Sequence, residues 1–567
     1  MNPKPNQAPD PLDAEILRHA LRIAAEEASI VVVESAHSAM IAEGADACAA
    51  LLDPAGRLIA LSTATNLMHA SSLRCALPAV VEDHPLETMM PGDVFVMNDC
   101  FRGGIHANDL LVFRPVFVEG AVTYFTGTLI HVADLGGTAA GGIAPDATDV
   151  FAEGLQLPPV RLYASGRRVS DVHRILALNS RTPARVIGDV DALVAGTAVA
   201  ARRTEELITR YGADGLARGI DDYIDGVERR MRSEIDALTP GVYRGAYTVD
   251  DDGLDLDHSP TVRVTVTVGD GEAPNGSLTL DFTESDDQAR GAINAGVSQA
   301  LTGAIYSVRC FVDPAIPMNE GCYSPVDVSF RRGSLLDPKP PAACGGRVVS
   351  VTAACEAVLE ALSQARPEHA TAASSVIHPF TLSGVGTDPW MLLSYEYGGI
   401  GARQTSDGPD ATGALFLGGR NVVPQVEPLE ARFPIRVDAQ RLITDSGGPG
   451  RQRGGLGVET RIHVLEAAEL SLRAERVRHP PKGRSGGHDG RPGQQVIVSD
   501  TAPDRPVPAK VANFMLNARD TFVLTTSGGG GLGDPAQREP EAVAEDLAEG
   551  RISVEAARTV YGQDGSK

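Results

Sequence analysis

MNDCFRGGIHANDLLVF, from Met97 to Phe113, is the stretch on which the reading turns. It sets Asp99, Arg102, His106, Asn108 and Asp109 around the pair Gly103-Gly104, then runs into an apolar segment. An imidazole and a carboxylate three residues apart, entering a strand, make either a solvated turn or half of a metal site. The flanks favour strands. VFVMND, LLVFRPVFV and AVTYFTGTLIHV are apolar or alternating runs separated by glycine-containing breaks.

His131 closes the third of these runs, and Asp134-Leu135-Gly136-Gly137 follows at once. Imidazole and carboxylate donors suit Mn, Fe or Zn, and the lack of nearby thiolate pairs argues against a structural cysteine-type zinc site. Glycines beside such donors let the backbone turn tightly. His106, Asp109 and His131 are therefore candidate ligands, with Asp46 as a fourth. Spacing alone leaves the alternative open, in which Asp109 caps the following segment and the histidines sit in ordinary loops. Cys100 is a candidate nucleophile, although free cysteines are more often packing residues.

Outward from this stretch, Ile16, Leu17, Leu21, Ile23 and Ala24 recur at near-helical spacing and predict a long helix from Asp13 to about Ala39. ACAALLDPAGRLIAL predicts two strands joined by the turn Asp53-Pro54-Ala55-Gly56. The segment from Arg168 to about Ala237 reads as mostly helical. After Thr239-Pro240-Gly241, GAYTVDDD, TVRVTVTV and SLTLDF alternate as strands, with helices near 300–311 and 352–365. From 381 to 524 the chain is rich in glycine and short strands, VETRIHVL among them, and EPEAVAEDLAEGRISVEAARTVYG reads as two short helices. The expected class is α+β, with several mixed sheets and helices and without the regular alternation of a Rossmann or TIM-barrel fold. The expected division is a mobile N-terminus (1–10), a metal-site domain (11–238), a central α+β domain (239–380), a glycine-rich β domain (381–537) and a surface helical tail (538–567).

The 567 residues suffice for several domains, and a net charge of −24 repels phosphate backbones, which excludes nucleic acid as a partner. Seven scattered cysteines without a CxxC pair read as reduced thiols. There is no signal-peptide pattern and no run of the ~18 apolar residues a membrane helix needs. A soluble, cytoplasmic protein is expected. The glycine clusters GGPGRQRGGLG (447–457), TSGGGGLGDP (526–535) and GGIGAR (398–403) do not match G-x-x-x-x-G-K-[ST] and are expected to be tight turns between strands. Arg451 and Arg453 are expected in surface ion pairs. With no nucleotide motif in this chain, any ATP the chemistry needs is held by a second polypeptide.

GDVFVMNDCFRGGIHANDLLVFRPVF resembles the signature of the hydantoinase B/oxoprolinase family, in which Gly-Asp-Val is followed by Asn-Asp-Pro-Tyr-x-Gly-Gly-x-His-x-x-Asp. DPLDAEILRHAL resembles that family's opening helix, and IHVADLGG its His-His-Ala-Asp-hydrophobic-Gly-Gly element. IPMNEGCYSPVDV with GSLLDPKPPAA resembles its central block, and DSGGPGRQRGGLG, RHPPKGRSGG and TTSGGGGLGDP its C-terminal glycine blocks. The resemblance implies one half of a two-component, ATP-dependent enzyme. A hydantoinase A-type partner binds ATP and phosphorylates an oxygen of the substrate, while this B-type component carries a divalent metal (Mn, Zn or Fe). The implied ligands are Asp46, His106, Asp109 and His131. His69, in NLMHASSLRCALP, is then expected to face the substrate, and Asp134 or Asp99 to orient a ligand imidazole or act as a base.

The expected activity is opening of a cyclic amide of the hydantoin (N-methylhydantoinase), 5-oxoproline or lactam type within a hetero-oligomer. The alternatives are ATP-dependent carboxylation of a ketone such as acetone or acetophenone, and a catalytically silent scaffold. No membrane or nucleic acid takes part. The chain departs from the family pattern at Cys100-Phe101 (usually Pro-Tyr), at Val132 (usually the second histidine) and at Gln452 (often aromatic). These changes spare the implied ligands and bear on pocket shape.

Overall fold

The computed structural model describes residues 11–42, 44–63, 69–269, 276–386, 390–412, 423 and 425–563. The segment expected to be mobile, 1–10, lies outside the described residues. The chain is a mixture of helices and several sheets with no closed barrel among the described residues, which bears out the α+β expectation.

The first half builds α1 (Pro11–Ser35), α2 (Ala39–Ala42), β1 (Ala47–Leu52), β2 (Leu58–Leu61), α3 (Ala70–Asp83), β3 (Val94–Met97), β4 (Asp109–Val118) and β5 (Ala121–His131). It continues through α4 (Val150–Glu153), β6 (Val160–Ala164), β7 (Arg167–Arg168), α5 (Ser170–Leu178), α6 (Pro183–Tyr211) and α7 (Ala213–Asp236). The strands form an antiparallel sheet of order β2-β1-β5-β4-β3-β6-β7. Successive residues of a strand point to opposite faces. Val96, Leu110, Val112 and Ile130 accordingly pack with Val32 of α1 and Val190 and Leu193 of α6. Phe95, Leu111, Phe113 and Leu129 pack on the other side with Leu73 and Leu77 of α3. Both faces are covered, which is why these strands read as unbroken apolar runs. The helix α3 carries Pro78 in its interior, and the sequence pattern does not point to it.

β8 (Gly241–Thr248), β9 (Thr261–Val268), β10 (Leu278–Asp281) and β11 (Val326–Ser329) form a second sheet, with α8 (Val297–Val312) and α9 (Val348–Ala365) joining its core. Helix α9 is long and apolar enough to cross a membrane by length and composition, yet 89% of it is buried within the protein. It is a core helix.

The last part contains β12 (Ile377–Gly384), β13 (Met391–Tyr397), α10 (Val426–Arg432), β14 (Ile435–Leu442), β15 (Val458–Val464), β16 (Ala468–Arg473), β17 (Gln494–Val498), β18 (Arg505–Pro506), β19 (Lys510–Leu516) and β20 (Thr521–Thr525). Two sheets result, β13-β12-β16-β19 and β14-β15-β20-β17-β18, packed through Phe380, Leu470, Ile462 and Phe522. Helices α11 (Pro540–Ala548) and α12 (Val554–Thr559) close the chain around Val543, Ile552 and Tyr561.

The glycine clusters are not the tight turns the sequence suggested, although 447–457 does link the paired strands β14 and β15. They lie side by side and pack backbone on backbone. A Cβ on Gly399 would fall 1.9 Å from the Gly455 carbonyl oxygen, one on Gly454 2.0 Å from that of Gly529, and one on Gly487 2.2 Å from that of Gly531. Hydrogen bonds join the segments: Gly455 to Ile400, Gly529 to Gly455, Gly448 to Gly529 and Gly531 to His488. Arg453, expected at the surface, is buried against this bundle and pairs with Asp410 at 3.2 Å and Asp546 at 3.3 Å.

Candidate metal centre

Strands β1, β5 and β4 are neighbours, and β5 runs antiparallel to both. The start of β4 and of β1 and the end of β5 therefore share one end of the sheet. Asp109 opens β4 directly opposite His131, the last residue of β5. Ala47 pairs with Ile130, so Asp46 enters at the same end. His106 arrives through the loop ahead of β4. Gly103 takes φ 100° there, and a Cβ on it would lie 2.4 Å from the Ala76 amide nitrogen, so only glycine fits. Asn98 fastens this loop from beneath, donating to the carbonyls of Ala107 and Leu155 and accepting from the Leu157 amide.

One ligand atom from each of His106, Asp109 and His131 lies within 4.8 Å of the others, all three residues being buried. Nδ1 of His131 is 3.0 Å from Oδ1 of Asp109, and Nε2 of His106 is 3.2 Å from Oδ2. Arg347 donates from Nη2 to the same Oδ2 at 2.9 Å. Burial pushes the Asp109 carboxyl up, but His106, Arg347 and His131 together outweigh it and hold it well below the usual carboxylate range. Burial, then the Arg347 charge, keep His106 well below the usual imidazole value, so it is neutral near pH 7. Nε2 of His106 and Nε2 of His131 are buried without a hydrogen-bond partner. An anionic carboxylate beside the buried Nε2 atoms of two imidazoles is the donor set that Mn, Zn or Fe takes. The residues present fit a divalent metal.

Asp46 adjoins this cluster and bonds His69, with Oδ1 2.9 Å from Nε2. Burial raises its carboxyl, but the His69 bond and charge prevail, and the net shift is downward. His69 is fully buried at the start of α3, and its Nδ1 has no partner. The other two candidates are not brought to the cluster. Asp134 is spent on Arg181, whose Nη1 and backbone amide stand 2.8 and 2.7 Å away, and on the Gly141 amide. Asp99 caps the short turn at 100–102 through the Phe101 amide. Cys100 is not presented as a nucleophile: it is buried beside Cys344 and Val150, its thiol against that of Cys344. All seven cysteines are free.

Three residues beside the cluster escaped the sequence reading. Arg347 stands at the head of α9, Arg473 ends β16, and Glu153 ends α4. Glu153 accepts from the amides of Cys344 (3.0 Å) and Gly345 (2.5 Å), and burial pushes its carboxyl up to about 7. Arg473 donates to the Gly345 carbonyl. The sequence gives little sign of them: Arg473 falls on the polar phase of AELSLR, with Glu469 and Ser471, and Arg347 stands alone between Gly345-Gly346 and an apolar helix.

The hydantoinase B/oxoprolinase family model matches residues 10–535. The beta chain of caprolactamase from Pseudomonas jessenii is 30% identical over 98% of this chain and 96% of its own length. The B component of a putative D-/L-hydantoinase from Pseudomonas sp. (strain NS671) is 28% identical over 98% and 95%. The crystal structure of ATP-dependent caprolactamase from Pseudomonas jessenii superposes with a TM-score of 0.89 at 27% identity, covering 98% of this chain and 96% of that one. A nucleotide-free acetone carboxylase shares the fold at a TM-score of 0.86 and 21% identity, over 98% of this chain and 80% of that one. With the family model spanning nearly the whole chain, this protein belongs to the hydantoinase B/oxoprolinase family.

Proposed function

We propose that this chain is the metal-binding component of a two-component, ATP-dependent amidohydrolase that opens a cyclic amide of the hydantoin, 5-oxoproline or lactam type in the cytoplasm. A hydantoinase A-type partner in the same hetero-oligomer binds ATP and phosphorylates the amide oxygen. The observation that carries the reading is the buried His106–Asp109–His131 cluster with two unpartnered imidazole nitrogens, in a chain similar along its length to hydantoinase and caprolactamase components.

An amide resists water because resonance stabilises it, and O-phosphorylation removes that protection. The remaining needs are an aligned water, a proton acceptor and compensation for the oxyanion. His106, Asp109 and His131, with Asp46 as the fourth ligand, would hold a divalent metal, which supplies a Lewis acid and a water of lowered pKa. Arg347 and His131 keep Asp109 anionic for that role. His69 is the proposed proton acceptor: Nε2 donates to Asp46, which leaves the Nδ1 lone pair available. Asp134 and Asp99 act as positioning residues, each fixing a loop that flanks the cluster.

The test is metal analysis joined to reconstitution. The purified chain retains a divalent metal, and the complex with its A-type partner opens a hydantoin, 5-oxoproline or lactam ring only with ATP. Full activity after complete chelation would refute the reading. A second reading, ketone carboxylation, draws on the acetone carboxylase fold and is separated by whether turnover needs bicarbonate and a ketone.

A further inference from the structure

Two guanidinium groups beside the cluster carry donors that no described residue accepts. Arg347 and Arg473 are each only 6% exposed, and each has an Nε–H without an acceptor. Buried polar groups in folded proteins are paired, so a missing partner is to be identified. A metal held by His106, Asp109 and His131 would satisfy imidazole lone pairs, but a cation accepts no hydrogen bond from an N–H. The missing partner is an acceptor.

Charge indicates its kind. Asp109 offsets Arg347, but the Nη1 of Arg473 reaches only the neutral Gly345 carbonyl. Glu153, the nearby acid, spends its two oxygens on the amides of Cys344 and Gly345, and burial favours its protonated form. The two guanidinium groups share one neighbourhood: both charges act on His106, and Arg347 acts on Arg473. Asp109 and Asp46 together balance the two guanidinium charges, so a divalent metal bound at the cluster would leave the site with a cationic surplus. Two guanidinium groups suit an oxyanion with several acceptor oxygens, which they grip by fork geometry.

We propose that Arg347 and Arg473 form an oxyanion subsite beside His106, Asp109 and His131, which receives the phosphoryl group carried by the activated substrate. The subsite draws on the head of α9, the end of β16 and, through Asp109, the start of β4. The phosphoryl source rests on the function proposed above, whereas the oxyanion chemistry does not, and carbonate would offer similar oxygens.

The experiment measures binding of inorganic phosphate, and separately of bicarbonate, to the purified full chain by calorimetry and ³¹P or ¹³C NMR. Metal-depleted and metal-loaded protein are compared, with Arg473→Gln and Arg473→Lys alongside and circular dichroism as the folding control. Wild type is expected to bind phosphate in both metal states. Folded Arg473→Gln should bind at least about tenfold more weakly, and Arg473→Lys should fall between. No phosphate binding by wild type overturns the proposal whatever the variants do. Unchanged binding in a folded Arg473→Gln overturns it as well, since phosphate would then sit elsewhere. Bicarbonate binding without phosphate binding overturns the phosphoryl assignment. None of these readouts uses ring opening. Phosphate binding in a complex that opens no ring would defeat the proposed function and leave the subsite standing, and the converse result would do the reverse.

Discussion

Asp109 and His131 face each other as a directly opposed pair across β4 and β5, with His131 Nδ1 3.0 Å from Asp109 Oδ1. Because side chains alternate along a strand, a slip of one residue would send one member of the pair to the opposite face. The apolar packing on both faces of this sheet fixes the register, and so the cluster geometry is inherited from the hydrophobic core.

Replacing His106 should separate metal from fold. His106→Ala is expected to melt near wild type but to lose its bound metal, with ring opening down on the order of a thousandfold, equivalent to several kcal/mol of transition-state stabilisation. Elemental analysis and steady-state kinetics on one preparation check both halves.

His69 should behave differently. His69→Gln keeps a polar partner for Asp46 and should retain metal, yet lose roughly 10²- to 10⁴-fold in kcat, the range for a general base. A variant that loses metal and activity together would show His69 to serve the ligand set instead.

A buried acid outside the ligand set gives stability a pH dependence. Glu396 is bonded by Thr460 and Gln440, yet burial pushes its carboxyl from 4.5 up to about 7. A folded-state value above the unfolded one contributes stability that is fully present below 4.5 and lost as pH rises through 7. The loss is about 3 kcal/mol at most over that window. Urea unfolding of wild type and Glu396→Gln from pH 4 to 8 should show the variant with the flatter curve.

The glycine bundle should tolerate no side chain. In Gly455→Ala the new Cβ would lie 1.9 Å from the Pro409 carbonyl oxygen, a backbone atom that cannot rotate away, and a loss of more than about 3 kcal/mol is expected. Gly120→Ala meets nothing within 4 Å and should cost only the strain of its φ of +86°, about 1 kcal/mol. Thermal melts of the two variants make the comparison.

Much of this was legible in the sequence for identifiable reasons. The strands from Val94 to His131 are continuous apolar runs because both faces of their sheet are covered. The alternation of TVRVTVTV marks a sheet with one covered face. Glycines and strand ends frame His106, Asp109 and His131, but spacing alone left ordinary loops open, and the resemblance to the family was needed to group them. Helix α3 was missed because Pro78 masks its period. Arg347 and Arg473 were missed because they lie 238 and 364 residues beyond Asp109 in the chain, and no local pattern records such a meeting. The glycine blocks were misread as turns because backbone-to-backbone packing leaves the same composition as a loop.

That packing also bears on how the molecule comes to be made. The segment 528–531 touches partners near Ile400, Ser446, Gly455 and Lys482, all of which leave the ribosome before it. Its neighbours must wait, their amides hydrated, until this last piece arrives to lie among them. Glycines offer no side chains to draw the pieces together, and closing contacts so distant in sequence is slow. Completion of the bundle thus waits on synthesis through residue 531. A chain cut short before residue 528 would leave those backbone groups open to any other extended strand.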